Sequence, residues 1–126
     1  MSHIEVRWDD NSQTIICCAF TPGWTLDDFY SAYSLTEEMI RTSPEHVIGI
    51  IVEDNNTSPP PNSLTAFQHI FKRGTLPMAV IGGHQLTKLL LKVVTKTTTS
   101  KRLVIQVSDL EEARLVLKQS TENSPD

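Results

Sequence analysis

Cysteine is nearly missing from this chain of 126 residues: the only two, Cys17 and Cys18, stand side by side in an apolar run. Neighbouring side chains on a strand point to opposite faces, so this pair is not expected to bond to itself. Cys-x-x-Cys spacing is absent, and the four histidines are scattered. That removes the usual zinc and redox patterns, and no metal or cofactor is expected. Basic residues are also in the minority, eleven against fifteen acids for a net charge of −4, which leaves no electrostatic footprint for nucleic acid. No run approaches the ~20 apolar residues that cross a bilayer. The opening MSHIEVRWDD lacks the basic start and apolar stretch of a leader. Membrane insertion is therefore not expected, and the default location is the cytoplasm.

What remains is an ordinary globular composition, 39% apolar and 21% charged. Residues 4–8 alternate apolar and polar, and a turn cluster at 9–12 precedes the more continuous apolar run TIICCAF at 14–20. Together they read as an antiparallel hairpin. Thr25 and Asp28 form a capping box, with Trp24 and Phe29 in the positions of a hydrophobic staple. The apolar stripe of Leu26, Phe29, Tyr30, Tyr33, Met39 and Ile40 carries that helix to about Arg41. HVIGIIV at 46–52 reads as a buried strand, and Ser63 opens a helix stopped by Lys72, Arg73 and Gly74. MAVI at 78–81 is a strand, Leu86 to Val94 a helical stripe, and 103–107 the last strand. Ser108 and Glu111 form a second capping box for a closing helix through Leu117.

The order β-β-α-β-α-β-α-β-α predicts an α/β fold. Its sheet should be mostly parallel, of four to five strands, with an antiparallel opening hairpin. One domain is expected over 1–118, followed by a frayed tail at 119–126.

This order resembles that of STAS domains, the family shared by anti-sigma factor antagonists and the cytoplasmic parts of sulfate transporters. The resembling stretches are the hairpin, VIGIIVEDNN leading to a hydroxyl-started helix, MAVIGG and the closing VSDLEEARLVL. In the antagonists the strand ends in an Asp-Ser-Ser/Thr-x-Gly type motif, phosphorylated by a partner kinase that is also the anti-sigma factor. By place, Ser63 corresponds to the phosphorylated position. Here Asn62 stands before it, the glycine is missing and a proline run intervenes. The resemblance implies a non-enzymatic regulatory domain that docks a protein partner, such as a kinase-type anti-sigma factor, with phosphate at Ser63 as its switch.

Chemistry in an open parallel sheet is sought at the carboxyl ends of the strands. Loops 21–24, 53–63 and 82–84 meet there, so Asp54, Asn55, Asn56, Ser63 and His84 form the expected binding rim. Ser63 and, beside Pro59, Ser58 are the candidate phosphate acceptors, although a plain helix cap is the simpler role for Ser63. Glu53, Asp54 and His84 offer an acid/base group, but no nucleophile elbow, phosphate loop or metal spacing accompanies them, and no catalytic residue is assigned. Most aromatics are expected in the core, with Tyr30 outside it. The alternative to docking is a small-molecule or lipid site between the sheet and the apolar 86–94 helix. An unpaired first strand would also permit a homodimer.

Overall fold

A computed structural model describes residues 3–9, 13–44, 46–71, 76–82, 85–96 and 104–122. The elements are β1 (Ile4–Trp8), β2 (Ile15–Phe20), α1 (Leu26–Thr42), β3 (Gly49–Asp54), α2 (Ser63–Phe71), β4 (Met78–Ile81), α3 (Gln85–Lys96), β5 (Val104–Val107) and α4 (Leu110–Glu122). The five strands lie in sequential order, β1 antiparallel to β2 and the rest parallel. Crossovers of one hand between sequential parallel strands deliver every helix to the same face. Phe29, Phe67 and Leu86, from α1, α2 and α3, accordingly share one core with Ile16, Val52 and Val80. The other face is covered by α4 alone, whose Ala113 and Leu117 pack on Ile15, Cys17, Ile51 and Ala79. Cys17 and Cys18 thus lie on opposite faces, both buried and both free.

Local signals set most boundaries. Thr25 caps α1 reciprocally: the Asp28 N–H donates to its hydroxyl at 3.2 Å, and its own N–H donates to the Asp28 carboxylate at 3.0 Å. Trp24 and Phe29 approach to 6.3 Å between ring centroids, which fixes the entry angle of the chain. Two boundaries move relative to the sequence reading. β3 starts at Gly49 and runs through Asp54 because it pairs with the whole of β2, from Ile15↔Gly49 to Phe20↔Asp54. α4 is capped by Asp109, one residue later than expected. The Glu112 N–H donates to the Asp109 carboxylate at 2.8 Å, while the Glu112 side chain turns back to the Ser108 N–H at 2.9 Å. The same helix continues to Glu122, into the stretch read as tail. The stop signals at 72–74, residues 97–103 and His84 lie outside the described residues.

α4 is held at both ends of its contact with the sheet. Arg114 forks onto Asp9 at 2.6 and 2.9 Å, tying the helix to the end of β1. Near β3, Gly49 leaves the space that Leu117 fills: a Cβ there would stand 2.5 Å from a Leu117 methyl carbon. Leu117 is 1% exposed, so its side chain must repack among buried neighbours to make way. Gly49→Ala is therefore expected to destabilise the fold by about 1–3 kcal/mol, read as a lowered denaturant midpoint. Combined with Leu117→Ala, its cost should be clearly less than the sum of the two single changes.

Candidate functional site

The rim at the carboxyl ends of the strands is built around one carboxylate. Asp54 ends β3 and is buried, yet both its oxygens are engaged. Oδ1 accepts from the Thr57 N–H at 3.2 Å and the Thr57 hydroxyl at 3.4 Å; Oδ2 accepts from the Thr87 N–H at 3.1 Å and its hydroxyl at 2.9 Å. Thr87 lies in the first turn of α3, where free N–H groups and the positive end of the helix favour an anion. The next chain must come close to do this, and Gly82 permits it. Its φ is +124°, and a Cβ would fall 2.9 Å from the Asp54 carbonyl oxygen. Asp54 is thus the joint between β3, the 55–57 turn and α3, with no oxygen left over for a substrate.

The rest of the rim is also internally committed. Asn55 donates from Nδ2 to the Phe20 carbonyl at 2.9 Å, and Asn56 turns the chain with φ of +58°. Ser63 is 3% exposed and donates its hydroxyl to the Pro60 carbonyl at 2.6 Å, so it closes the proline turn. Asn62 immediately before it is exposed, at φ +69°. Ser58 is the exposed hydroxyl of the two phosphate-acceptor candidates. Glu53 points the other way, toward the α4 face, and accepts from Cys17 at 3.2 Å and Arg7 at 3.4 Å. His84, the proposed partner of Asp54, falls outside the described residues.

A larger space than the hollow of about 420 Å³ beside Pro59, Asn62 and Ser63 opens toward the other end of the sheet. A groove of about 800 Å³ runs between α1 and α2 over the strands. Its floor is Cys18, Ile50, Val52 and Met78; Phe29, Ala32, Tyr33 and Ile40 of α1 form one wall, and Phe67 and Ile70 of α2 the other. Among the described lining residues Leu90 is the one contributed by α3, so the groove lies beneath α1 and α2 and touches the 86–94 helix at Leu90. Polar groups gather at one end, where Glu37, Glu38 and Arg41 of α1 meet His46 before β3. The groove exists because α1 leans toward β1 while α2 and α3 pack on each other.

Burial pushes the Cys18 thiol up to about 11, only partly offset by its contact with the Thr36 hydroxyl, and Cys17 is pushed up to about 12 by burial and by Glu53. Neither presents a thiolate near neutrality. Among the described residues no His, Cys, Asp and Glu group is arranged to hold a metal, and no helix is long and apolar enough to cross a membrane.

Comparison with protein-family models, curated proteins and solved structures finds no match. None of the three identifies a STAS domain.

Sequence reasoning missed the groove because the α1 stripe reads as ordinary core. The available signal was its width. Tyr33 and Ile40 extend the stripe beyond the buried line of Phe29, Ala32 and Thr36, and both line the groove. If Asp54 is the joint described, Asp54→Asn turns an amide toward donors on one side and should cost about 2–4 kcal/mol of stability. Thermal unfolding and the exchange protection of the Thr57 and Thr87 amides measure it.

Proposed function

We propose that this domain binds an apolar small molecule in the groove beneath α1, as a carrier or as a ligand-responsive regulatory module. One observation carries the reading. A space of about 800 Å³ lies within the ~300–1,000 Å³ of ligand sites, in a protein class whose interiors pack almost without voids. Yet its floor is barely wet: Cys18 is 8%, Ile50 7%, Val52 4% and Met78 7% exposed. Large volume over so little exposed a floor means a space recessed between the helices. A partner helix ~10–12 Å across needs an open trough; a small molecule does not.

A second reading keeps the STAS-like docking role. Its support is the fixed, projecting crossing at 53–63, where Asn55, Asn56, Ser58, Pro61 and Asn62 are exposed over the Asp54 joint. A preformed loop of this kind lowers the entropy cost of binding a protein partner. It ranks second because a kinase reaches Ser63 only after the Ser63–Pro60 bond opens. The acid/base reading ranks below both, since both Asp54 oxygens are occupied.

Fluorescence titration with N-phenyl-1-naphthylamine, an uncharged dye that brightens out of water, tests the groove. Saturable binding at one dye per chain is expected. Val52→Phe puts a ring on the floor and should weaken binding at least about tenfold while cooperative unfolding is kept. No saturable binding to the native chain, or undiminished binding to a folded Val52→Phe, sinks this reading.

A further inference from the structure

We infer that the ligand is a single-headed amphiphile with an uncharged polar head, its chain toward the aromatic end of the groove and its head at the mouth. This rests on the groove reading above and names the ligand class.

Polarity is sorted along the cleft. At the inner end Phe29 and Phe67 meet edge to face at 4.5 Å, and Trp24 backs Phe67 at 6.1 Å and Phe20 at 5.2 Å. That end is plugged by the rings of Phe20, Phe29 and Phe67, which line the cleft; the buried indole N–H of Trp24 behind them has no hydrogen-bond partner among the described residues. The middle is mostly aliphatic, through Ile50, Val52 and Ile70, and its buried Thr36 hydroxyl is turned to the Ala32 carbonyl and the Cys18 thiol. Ionisable side chains other than Cys18 and Tyr33 appear only at the mouth: among the described lining residues these are Glu37, Glu38, Arg41 and His46. An elongated molecule with one polar end matches this order, and a molecule polar at both ends does not.

The charges at the mouth select the head. Arg41 is the one permanent cation in the described lining, and it is already paired with Glu38 on the same helix. Glu37, Glu38 and Arg41 together carry a net −1. A carboxylate or phosphate head would give up its water, compete with Glu38 for Arg41 and sit beside Glu37, with no free cation in compensation. A cationic head would meet Arg41 and gain only the exposed, water-screened Glu37. A hydroxyl, ester or amide head needs one acceptor and one donor, and Glu37 and His46 supply them.

Dye displacement by three twelve-carbon probes tests this: dodecanol, dodecanoate and dodecylamine, each below micelle formation at neutral pH. Dodecanol should displace the dye about fivefold more tightly than either ion. Glu38→Gln frees Arg41 without disturbing the fold, because an exposed pair of this kind adds little stability. Dodecanoate should then gain about fivefold and dodecanol nothing. Equal or tighter binding of either ion to the native chain overturns the head assignment and leaves the groove standing, as does a Glu38→Gln chain whose preference is unmoved. A dye that binds but is displaced by none of the three overturns the amphiphile. A dye that never binds removes the groove reading, and this inference with it.

Discussion

The handedness of the β-α-β crossover governs this molecule. Four parallel strands in sequential order put α1, α2 and α3 on one face, and only α4 remains for the other. Three helices then share five strands. α2 and α3 take the far side and pack together, while α1 leans toward β1, where the hairpin has added a strand. The seam between α1 and α2 is left open over β2, β3 and β4. The groove follows from topology, and its apolar floor is simply the inward face of the central strands. A surface of core-forming residues thereby becomes the floor of a groove.

The two ends of the sheet divide the labour. At the carboxyl ends, where α/β sheets usually meet ligands, Asp54 spends its charge joining β3 to α3, and Ser63 closes the proline turn. At the amino ends, the final turns of α1 and the approach to β3 frame a mouth of Glu37, Arg41 and His46. Rigidity at one end and space at the other are compatible because the strands between them are almost wholly buried. Asn55, Asn56 and Ser58 are exposed at the rigid end.

The fold was legible in the sequence where signals were local. Thr25 and Asp28 announce α1, the alternation of Ile4, Val6 and Trp8 announces an edge strand, and Gly82 marks the exit of β4. Boundaries set by pairing were not legible: Glu53 and Asp54 belong to β3 only because β2 extends alongside them. The cap of α4 slipped by one residue because Ser108 and Asp109 are both good caps, and the choice is made by where Val107 leaves the sheet. For the site, type and place came apart. Asp54 was found as a notable acid, but its role as an internal joint depends on Thr87, thirty-three residues away. The groove could not be read from periodicity, since a stripe facing a cleft and a stripe facing a core have the same spacing.

The central claim, that the working surface lies beneath α1 and not at the carboxyl-end rim, has a direct test in solution. Methyl and side-chain amide resonances of the intact chain are followed by NMR while dodecanol is added. The account predicts saturable shifts of the Ile50, Val52, Ile70 and Met78 methyls, with the Asn55 and Asn56 side-chain amides unmoved. Shifts at Asn55 and Asn56 with silent floor methyls would contradict it and return the search to the rim.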